Sequence, residues 1–190
     1  MLQNINMWRM VQKIHHTFGK NLLLANTLSS GGLLVVGDLI QQRREGHKFD
    51  VNRCLRMCTV GLSQGPPHHY FYILLDKYLP GRTGKVVFKK IMFDQIFAAP
   101  FFAITFIYGA SLLEGRSLGY CWAEFKTKFP TIYLFDWLIW PPTQFINFSY
   151  VPPQYRVLYV NMVTVVWDVF LSYIKHRDEI VENIERKDKN

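Results

Sequence analysis

Several absences limit what this chain of 190 residues can be. Cysteine occurs only three times, so the dense disulfide framework of a small secreted domain is lacking. Hydrophobic residues make up 49% of the sequence and charged residues 19%, which excludes the composition of a disordered chain. No glycine-rich phosphate loop and no Gly-x-Ser-x-Gly elbow occur. The sequence therefore predicts one folded domain without a catalytic, cofactor-binding or metal site.

Basic residues are absent from long stretches of the chain. Five windows contain no Lys or Arg: Leu22–Ile40, Met57–Leu75, Ile91–Leu113, Thr131–Val151 and Val157–Ile174. They hold 100 residues, and all 22 basic residues fall in the other 90. A spanning helix needs roughly 20 mostly apolar residues, and Lys or Arg at its centre costs about 2.5–3.5 kcal/mol. Helices of a soluble bundle carry such residues on their outer faces. We therefore predict an all-α integral membrane bundle.

Prolines fall inside two of these windows. Pro66 and Pro67 interrupt the second window, and Pro141 and Pro142 interrupt the fourth. Because proline lacks a backbone donor, a spanning helix tolerates it only where another group satisfies the freed carbonyl. We therefore expect kinked transmembrane helices, four or five in number. Basic residues are spread too evenly between the windows for the positive-inside rule to assign an orientation.

The two ends of the chain differ from its middle. No acidic residue occurs before Asp38, and apolar and basic residues recur at helical spacing within residues 1–20. A mitochondrial targeting segment has this basic amphipathic pattern, and so does an interfacial helix that stays in the protein. We predict three parts: this segment, a multi-span membrane domain over residues 21–175, and a charged, solvated helical tail over residues 176–190.

Four of the windows carry one formal charge each, and each time it is an aspartate. These residues are Asp38, Asp94, Asp136 and Asp168. Aspartates in membrane helices usually face a bundle interior or a water-filled cavity. Gln144 and Asn147 lie three residues apart, so a helix places them on one face. Two readings stay open for these six residues: the lining of a cation-attracting pore, or buried hydrogen-bond partners between helices.

Basic residues flank the windows and give the chain a formal net charge of +8. The candidates for binding a partner are Arg43, Arg44, Lys85, Lys89 and Lys90. Such residues suit anionic lipid headgroups, and they also suit a phosphate-rich partner. No aromatic RNA-binding signature accompanies them, so the residues alone favour lipid headgroups.

Four motifs occur in order along the chain. They are Gly65-Pro66-x2-His69-Tyr70-x-Tyr72-x2-Leu75-Asp76, Lys90-x3-Asp94-Gln95-x4-Pro100, Trp140-Pro141-x2-Gln144-x2-Asn147-Phe148-x2-Val151-Pro152-x3-Arg156, and Trp167-x3-Leu171-Ser172. Together they resemble the Mpv-seventeen / peroxisomal-membrane-protein-twenty-two family. The resemblance covers the chain from Gly37 to Ile174. Leu113-Glu114-Gly115 and the double proline Pro152-Pro153 resemble the branch of that family called Mpv-seventeen-like protein two.

The resemblance implies a small multi-span protein of the mitochondrial inner membrane, or of the peroxisomal membrane in other branches. It implies no catalytic site. The branch is associated with assembly and stability of the mitochondrial ribosome, and hence with mitochondrial translation, so the large ribosomal subunit is an expected partner. The alternative is a non-selective channel that affects metabolite or nucleotide balance. The lipid bilayer is a partner in both cases, and a homo-oligomer is a further expectation.

Overall fold

The computed structural model describes residues 22–46, 48–151 and 156–188. These residues form five helices: α1 Leu22–Glu45, α2 Val51–Tyr78, α3 Gly84–Leu113, α4 Leu118–Ser149 and α5 Arg156–Asp188. Helix α3 consists of two α-helical parts joined by a π-helical turn at Asp94–Ala98. No strand occurs within the described residues, and the predicted all-α class is confirmed. The predicted segment 1–20 lies outside the described residues.

The connections that join α1 to α2, α2 to α3 and α3 to α4 are short. Helix α2 begins where the Asp50 carboxylate accepts a hydrogen bond from Arg53 N at 3.0 Å, and α4 begins where Ser117 Oγ accepts one from Tyr120 N at 3.3 Å. Helix α3 ends at Leu113 and is followed by Gly115, whose φ of 76° is readily adopted only by glycine. Such short connections make consecutive helices antiparallel. The α1–α2 and α3–α4 connections therefore lie at one end of the bundle, together with the C-terminal part of α5.

Glycines bring α1 into backbone contact with two neighbouring helices. A Cβ atom at Gly65 would lie 2.4 Å from Thr27 Cα, and one at Gly61 would lie 2.6 Å from Ser30 O. A Cβ atom at Gly37 would lie 2.6 Å from Asp168 Cβ on α5. Gly61 and Gly65 form a Gly-x3-Gly pattern, the spacing that lets membrane helices approach closely. Small residues therefore determine how closely α1 packs against α2 and α5.

Polar side chains lie inside the bundle and large apolar side chains lie on its surface, as in a membrane protein that faces lipid. On α4 the buried side chains include Glu124, Lys128 and Asp136, whereas Leu134 and Leu138 are more than 60% exposed. The outer face of α3 exposes Phe97 and other large apolar side chains. An exposed apolar surface of this extent is unfavourable in water. By length and composition alone, two of the described helices, α1 and α3, are apolar enough to cross a membrane.

Prolines and the π turn leave carbonyl groups that other residues satisfy. Within the π turn Ala99 N donates to Asp94 O, five residues earlier. Pro100 has no N–H with which to continue this spacing to Gln95 O. Tyr133 on α4 donates its hydroxyl to that carbonyl at 3.1 Å instead. The π turn is therefore joined to α4 by a side-chain hydrogen bond that replaces a helical one.

The close approach at Gly65 leads to a stability prediction. Gly65→Ala places a methyl group against the Thr27 backbone, and overpacking of this kind typically costs about 1–3 kcal/mol. Gly32→Ala is the matched control, because a Cβ atom there meets nothing within 4 Å. Thermal unfolding of the purified protein in detergent should show a lower midpoint for Gly65→Ala and an unchanged or higher one for Gly32→Ala. Equal midpoints for the two variants would contradict the close packing.

Candidate functional site

A cavity of about 510 Å³ lies inside the bundle, and all five helices line it. Its wall is formed within residues 22–34 of α1, 61–76 of α2, 94–106 of α3, 132–148 of α4 and 160–171 of α5. Asp76 belongs to the wall, and its side chain is 66% exposed. The cavity therefore reaches the surface near the end of α2. We call this end of the bundle the cavity end, and the opposite end, with the α1–α2 and α3–α4 connections, the charged end.

A directed chain of hydrogen bonds crosses the cavity wall from α4 to α3. Asn147 Nδ2 donates to Gln144 Oε1 at 3.2 Å, and Gln144 Nε2 donates to the Tyr72 hydroxyl at 3.0 Å. Tyr72 in turn donates to Asp94 Oδ1 at 3.0 Å. Each donor points towards Asp94, so the chain stabilises negative charge on that carboxylate. Asp94 is the residue at which the π turn begins.

Two further carboxylates belong to the same wall. Asp136 and Asp168 are both more than nine-tenths buried. Asp136 Oδ2 has no hydrogen-bond partner, and neither has Asn147 Oδ1. Among the described residues, none forms a hydrogen bond or an ion pair with Asp168. The described wall contains no Lys or Arg, so its charged groups are carboxylates.

Aromatic rings form much of the rest of the wall. The imidazole of His68 stacks on Phe102 with ring centroids 3.5 Å apart, and Trp140 meets Trp167 edge to face at 6.1 Å. His69 is linked to α1 through a 3.1 Å contact between its Nδ1 and Asn26 Nδ2. The cavity thus combines apolar and aromatic surface with a few oriented polar groups, the usual composition of a small-molecule site.

An apolar layer closes the cavity towards the charged end. Phe106 forms the last part of the wall on α3 and is 1% exposed. Beyond it, the fully buried side chains of Met57, Val60 and Ile107 fill the space between the helices. The cavity is therefore open at one end and sealed at the other.

Beyond the apolar layer, a first group of buried charges joins α1, α2 and α5. We call it the Asp38 cluster: Asp38, Gln42, Glu45, Arg53 and Ser172. The Asp38 carboxylate is fully buried and accepts hydrogen bonds from Arg53 Nε at 2.7 Å, Gln42 Nε2 at 2.8 Å and Ser172 Oγ at 2.8 Å. Arg53 also binds both Glu45 oxygens, at 2.7 and 3.1 Å. The charge of Asp38 is thus paired within the protein.

A second group of buried charges joins α3, α4 and α5. We call it the Glu124 cluster: Ser111, Glu114, Glu124, Lys128 and Lys175. Lys175 Nζ lies 2.9 Å from Glu124 Oε1, 3.1 Å from Glu114 Oε2 and 2.9 Å from Ser111 Oγ. Lys128 Nζ also lies 2.9 Å from Glu124 Oε1 and donates to the carbonyl of Lys175 at 2.5 Å. Ser111 donates its hydroxyl to Glu124. The two lysines balance the two glutamates.

The six polar residues singled out in the sequence occupy two different places. The cavity wall contains Asp94, Asp136, Asp168, Gln144 and Asn147. Asp38 is not part of the wall, because it lies in the Asp38 cluster at the charged end. The two readings of these residues therefore separate: Asp38 is a structural partner between helices, and the other five line a cavity.

The candidate basic residues do not form one surface. Arg43 and Arg44 are exposed at the charged end, whereas Lys85 and Lys89 are exposed at the cavity end. Lys90 differs from the expectation of an exposed binding residue. It is buried, its Nζ lies 2.5 Å from Asp76 Oδ1, and it lies above the ring of Phe148. The helical turn separates Lys90 from Lys89 by about 100° and points it into the bundle.

Several residues of the site were not predicted from the sequence. Tyr72 and Arg53 connect the polar groups of the cavity and of the Asp38 cluster, but neither has a spacing that identifies its partner. Lys175 and His176 lie at the predicted boundary between membrane domain and solvated tail, yet both are buried and α5 continues through them without a break. A lysine at the end of an apolar window is a weak signal for such pairing, because snorkelling to the interface produces the same pattern.

The Asp38 cluster leads to a second stability prediction. Arg53→Met leaves two buried carboxylates without their cation, and breaking a buried ion pair costs about 3–5 kcal/mol. Asp38→Asn combined with Arg53→Met removes the most deeply buried charge and should recover part of that loss. Arg43→Met, on the exposed face of α1, is the control and should change stability by less than about 0.5 kcal/mol. Unfolding in detergent measures all three, and a change for Arg53→Met as small as the control's would contradict the buried pairing.

These features define a polytopic helical membrane protein with a polar cavity inside its bundle. Comparison with known proteins identifies its family. The sequence profile of the Mpv17 / PMP22 family matches residues 111–172. The PXMP2/4 family protein 2 of Dictyostelium discoideum is 35% identical to this chain, covering 85% of it and 89% of the relative. The chain belongs to the Mpv17 / PMP22 family.

Two other relatives carry the names of different organelles. The mitochondrial inner membrane protein Mpv17 of Homo sapiens is 34% identical, over 79% of this chain and 88% of the relative. The peroxisomal membrane protein 2 of Bos taurus is 31% identical, over 79% of this chain and 81% of the relative. No solved structure matches the chain. The family resemblance seen in the four sequence motifs is confirmed.

Proposed function

We propose that this protein provides a pathway for small polar solutes across the mitochondrial inner membrane, with the peroxisomal membrane as the alternative location. The observation that carries the proposal is the cavity, which all five helices line and which contains carboxylates and amides at the depth of the apolar windows. Burying unpaired polar groups costs free energy, so a helix bundle with only an anchoring role gains nothing from such a wall. The names of the Mpv17 and peroxisomal relatives support the two locations.

We take the described arrangement as the closed form of this pathway. Phe106 and the apolar layer behind it separate the cavity from the charged end. Apolar constrictions of this kind stop ions by excluding water, and they open when the side chains move apart. The Asp38 and Glu124 clusters hold all five helices together behind this layer, so opening requires a rearrangement at the charged end.

The apolar layer predicts the effect of removing one ring. Phe106→Ala should increase the conductance of the protein in planar bilayers, because the layer loses its largest side chain. Phe106→Leu removes less volume and should give an intermediate increase, which keeps the test valid if the alanine variant is unstable. Phe97→Ala, on the exposed face of the same helix, is the matched control and should leave conductance unchanged. No conductance from the parent protein and from either Phe106 variant would overturn the proposed pathway.

A second function, support of mitochondrial ribosome assembly and translation, follows from the resemblance to one branch of the family and stays a prediction. Self-association into a homo-oligomer also stays a prediction. The positions of the basic residues limit which of them can contact a ribosome. Arg43 and Arg44 are at the opposite end of the bundle from Lys85 and Lys89. A protein that spans the membrane presents only one of these pairs to the ribosome's compartment.

Ribosome association should therefore depend on one basic pair and not on both. Contacts with phosphate release counterions, so co-sedimentation of the protein with large ribosomal subunits should weaken steeply as salt rises. Replacing one pair by glutamine should reduce co-sedimentation from solubilised mitochondria, and replacing the other pair should not. The two double variants, Arg43→Gln with Arg44→Gln and Lys85→Gln with Lys89→Gln, serve as controls for each other. Absence of the parent protein from the ribosomal fractions at low salt would refute the association.

A further inference from the structure

We infer that the cavity binds a small organic cation, with a nitrogen-bearing positive group at Asp94 and Asp136 and an apolar body against the aromatic wall. As the class of solute that is transported, the organic cation rests on the proposed pathway. The binding site itself stands on three observations in the cavity: its charges, its unpartnered atoms and its size.

The charges of the cavity differ from those of the rest of the interior. At the charged end, each buried carboxylate has a basic partner within the chain: Arg53 pairs with Asp38 and Glu45, and Lys175 pairs with Glu114 and Glu124. At the mouth of the cavity, Asp76 pairs with Lys90, which is not itself part of the wall. The deeper carboxylates of Asp94, Asp136 and Asp168 have no Lys or Arg beside them in that wall. A buried carboxylate favours a nearby positive charge, so a cationic ligand supplies the partner that the described wall lacks.

The unpartnered atoms of the wall also select a hydrogen-bond donor. Within the wall, Asp136 Oδ2 and Asn147 Oδ1 lack partners, and both are acceptors on residues more than nine-tenths buried. The Gln95 amide is also unpartnered, but it lies outside the wall. The donors of Asn147, Gln144 and Tyr72 are already used in the chain of hydrogen bonds that ends on Asp94. Since buried acceptors without partners are unfavourable, the wall is complementary to a ligand that donates. An ammonium or guanidinium group carries several donors and no acceptor.

The size and lining of the cavity point to an organic ligand. A volume of about 510 Å³ lies in the range of small-molecule sites and far exceeds that of a bare metal ion. No group of three or more His, Cys, Asp or Glu side chains that could hold a metal occurs in the described part of the chain. Phe102, Trp140 and Tyr133 line the cavity near the carboxylates. Aromatic faces attract cations and also bury an apolar body.

Three probes with one molecular frame test the charge requirement. Tyramine carries an ammonium group, tyrosol carries a hydroxyl in its place, and 3-(4-hydroxyphenyl)propionate carries a carboxylate. Calorimetric titration of the purified full-length protein in detergent should detect tyramine binding, with tyrosol and the propionate weaker by more than about tenfold. Equal affinity for the three probes, or no heat from tyramine at millimolar concentration, would overturn the inference.

Variants of the carboxylates test the location of the site. Asp136→Asn and Asp94→Asn should each weaken tyramine binding by more than about tenfold, since each removes a charge that faces the ligand. Asp50→Asn is the matched control, because it removes the same charge at an exposed N-cap where asparagine also caps well. Gel filtration and circular dichroism check that each variant is folded, and the three-probe comparison needs no variant. Tyramine affinity equal in all variants would place the site elsewhere.

The outcome of titration is independent of transport. Tyramine binding without conductance from the Phe106 variants would retain the cation site and refute the pathway. Conductance without tyramine binding would retain the pathway and refute the organic cation. The two proposals therefore fail separately.

Discussion

In a bundle surrounded by lipid, a buried charge is costly unless another group neutralises it. Water is not available to screen it, and the outer surface offers only apolar side chains. The charged end meets this requirement with Arg53 for α1 and α2 and with Lys175 for α3 and α4. Because Ser172 and Lys175 both lie on α5, that helix takes part in both clusters. The arrangement of all five helices at this end depends on these pairings.

A buried ion pair is by itself weak evidence of net stability. Removing two charges from water is expensive, and their mutual attraction returns that free energy only when the geometry is good and remaining donors and acceptors are bonded. The Asp38 carboxylate satisfies this condition, with hydrogen bonds from three side chains on three helices. A helix that slides by one turn loses several of these bonds together. The clusters therefore define one register for the bundle, in addition to the close contacts at Gly37 and Gly65.

The cavity lies where buried polar groups are not fully paired and where the helices depart from regular geometry. Prolines and the π turn remove regular helical hydrogen bonds in α2, α3 and α4, and all three elements line the cavity. Side chains and not backbone groups complete the bonding there, as Tyr133 does for the carbonyl of Gln95. Departures from regular helix often mark functional sites, since they place polar groups where a continuous helix cannot. The cavity end is accordingly where we propose that a ligand binds, and the charged end is the part that holds the helices together.

The distribution of Lys and Arg along the sequence determined the all-α membrane class, because the cost of placing these residues in lipid depends on residue type and not on the partner. The same reasoning singled out the aspartates, which are expensive in any spanning helix, and five of the six predicted polar residues line the cavity. Only the tertiary structure decided which acid is paired and which faces open space. Asp38 meets Ser172 across 134 residues of chain, and Lys90 turns inward while Lys89 stays exposed. The residues that flank an aspartate in the sequence do not show which distant residue packs against it in the fold. A paired and an unpaired aspartate therefore cannot be told apart from the local sequence.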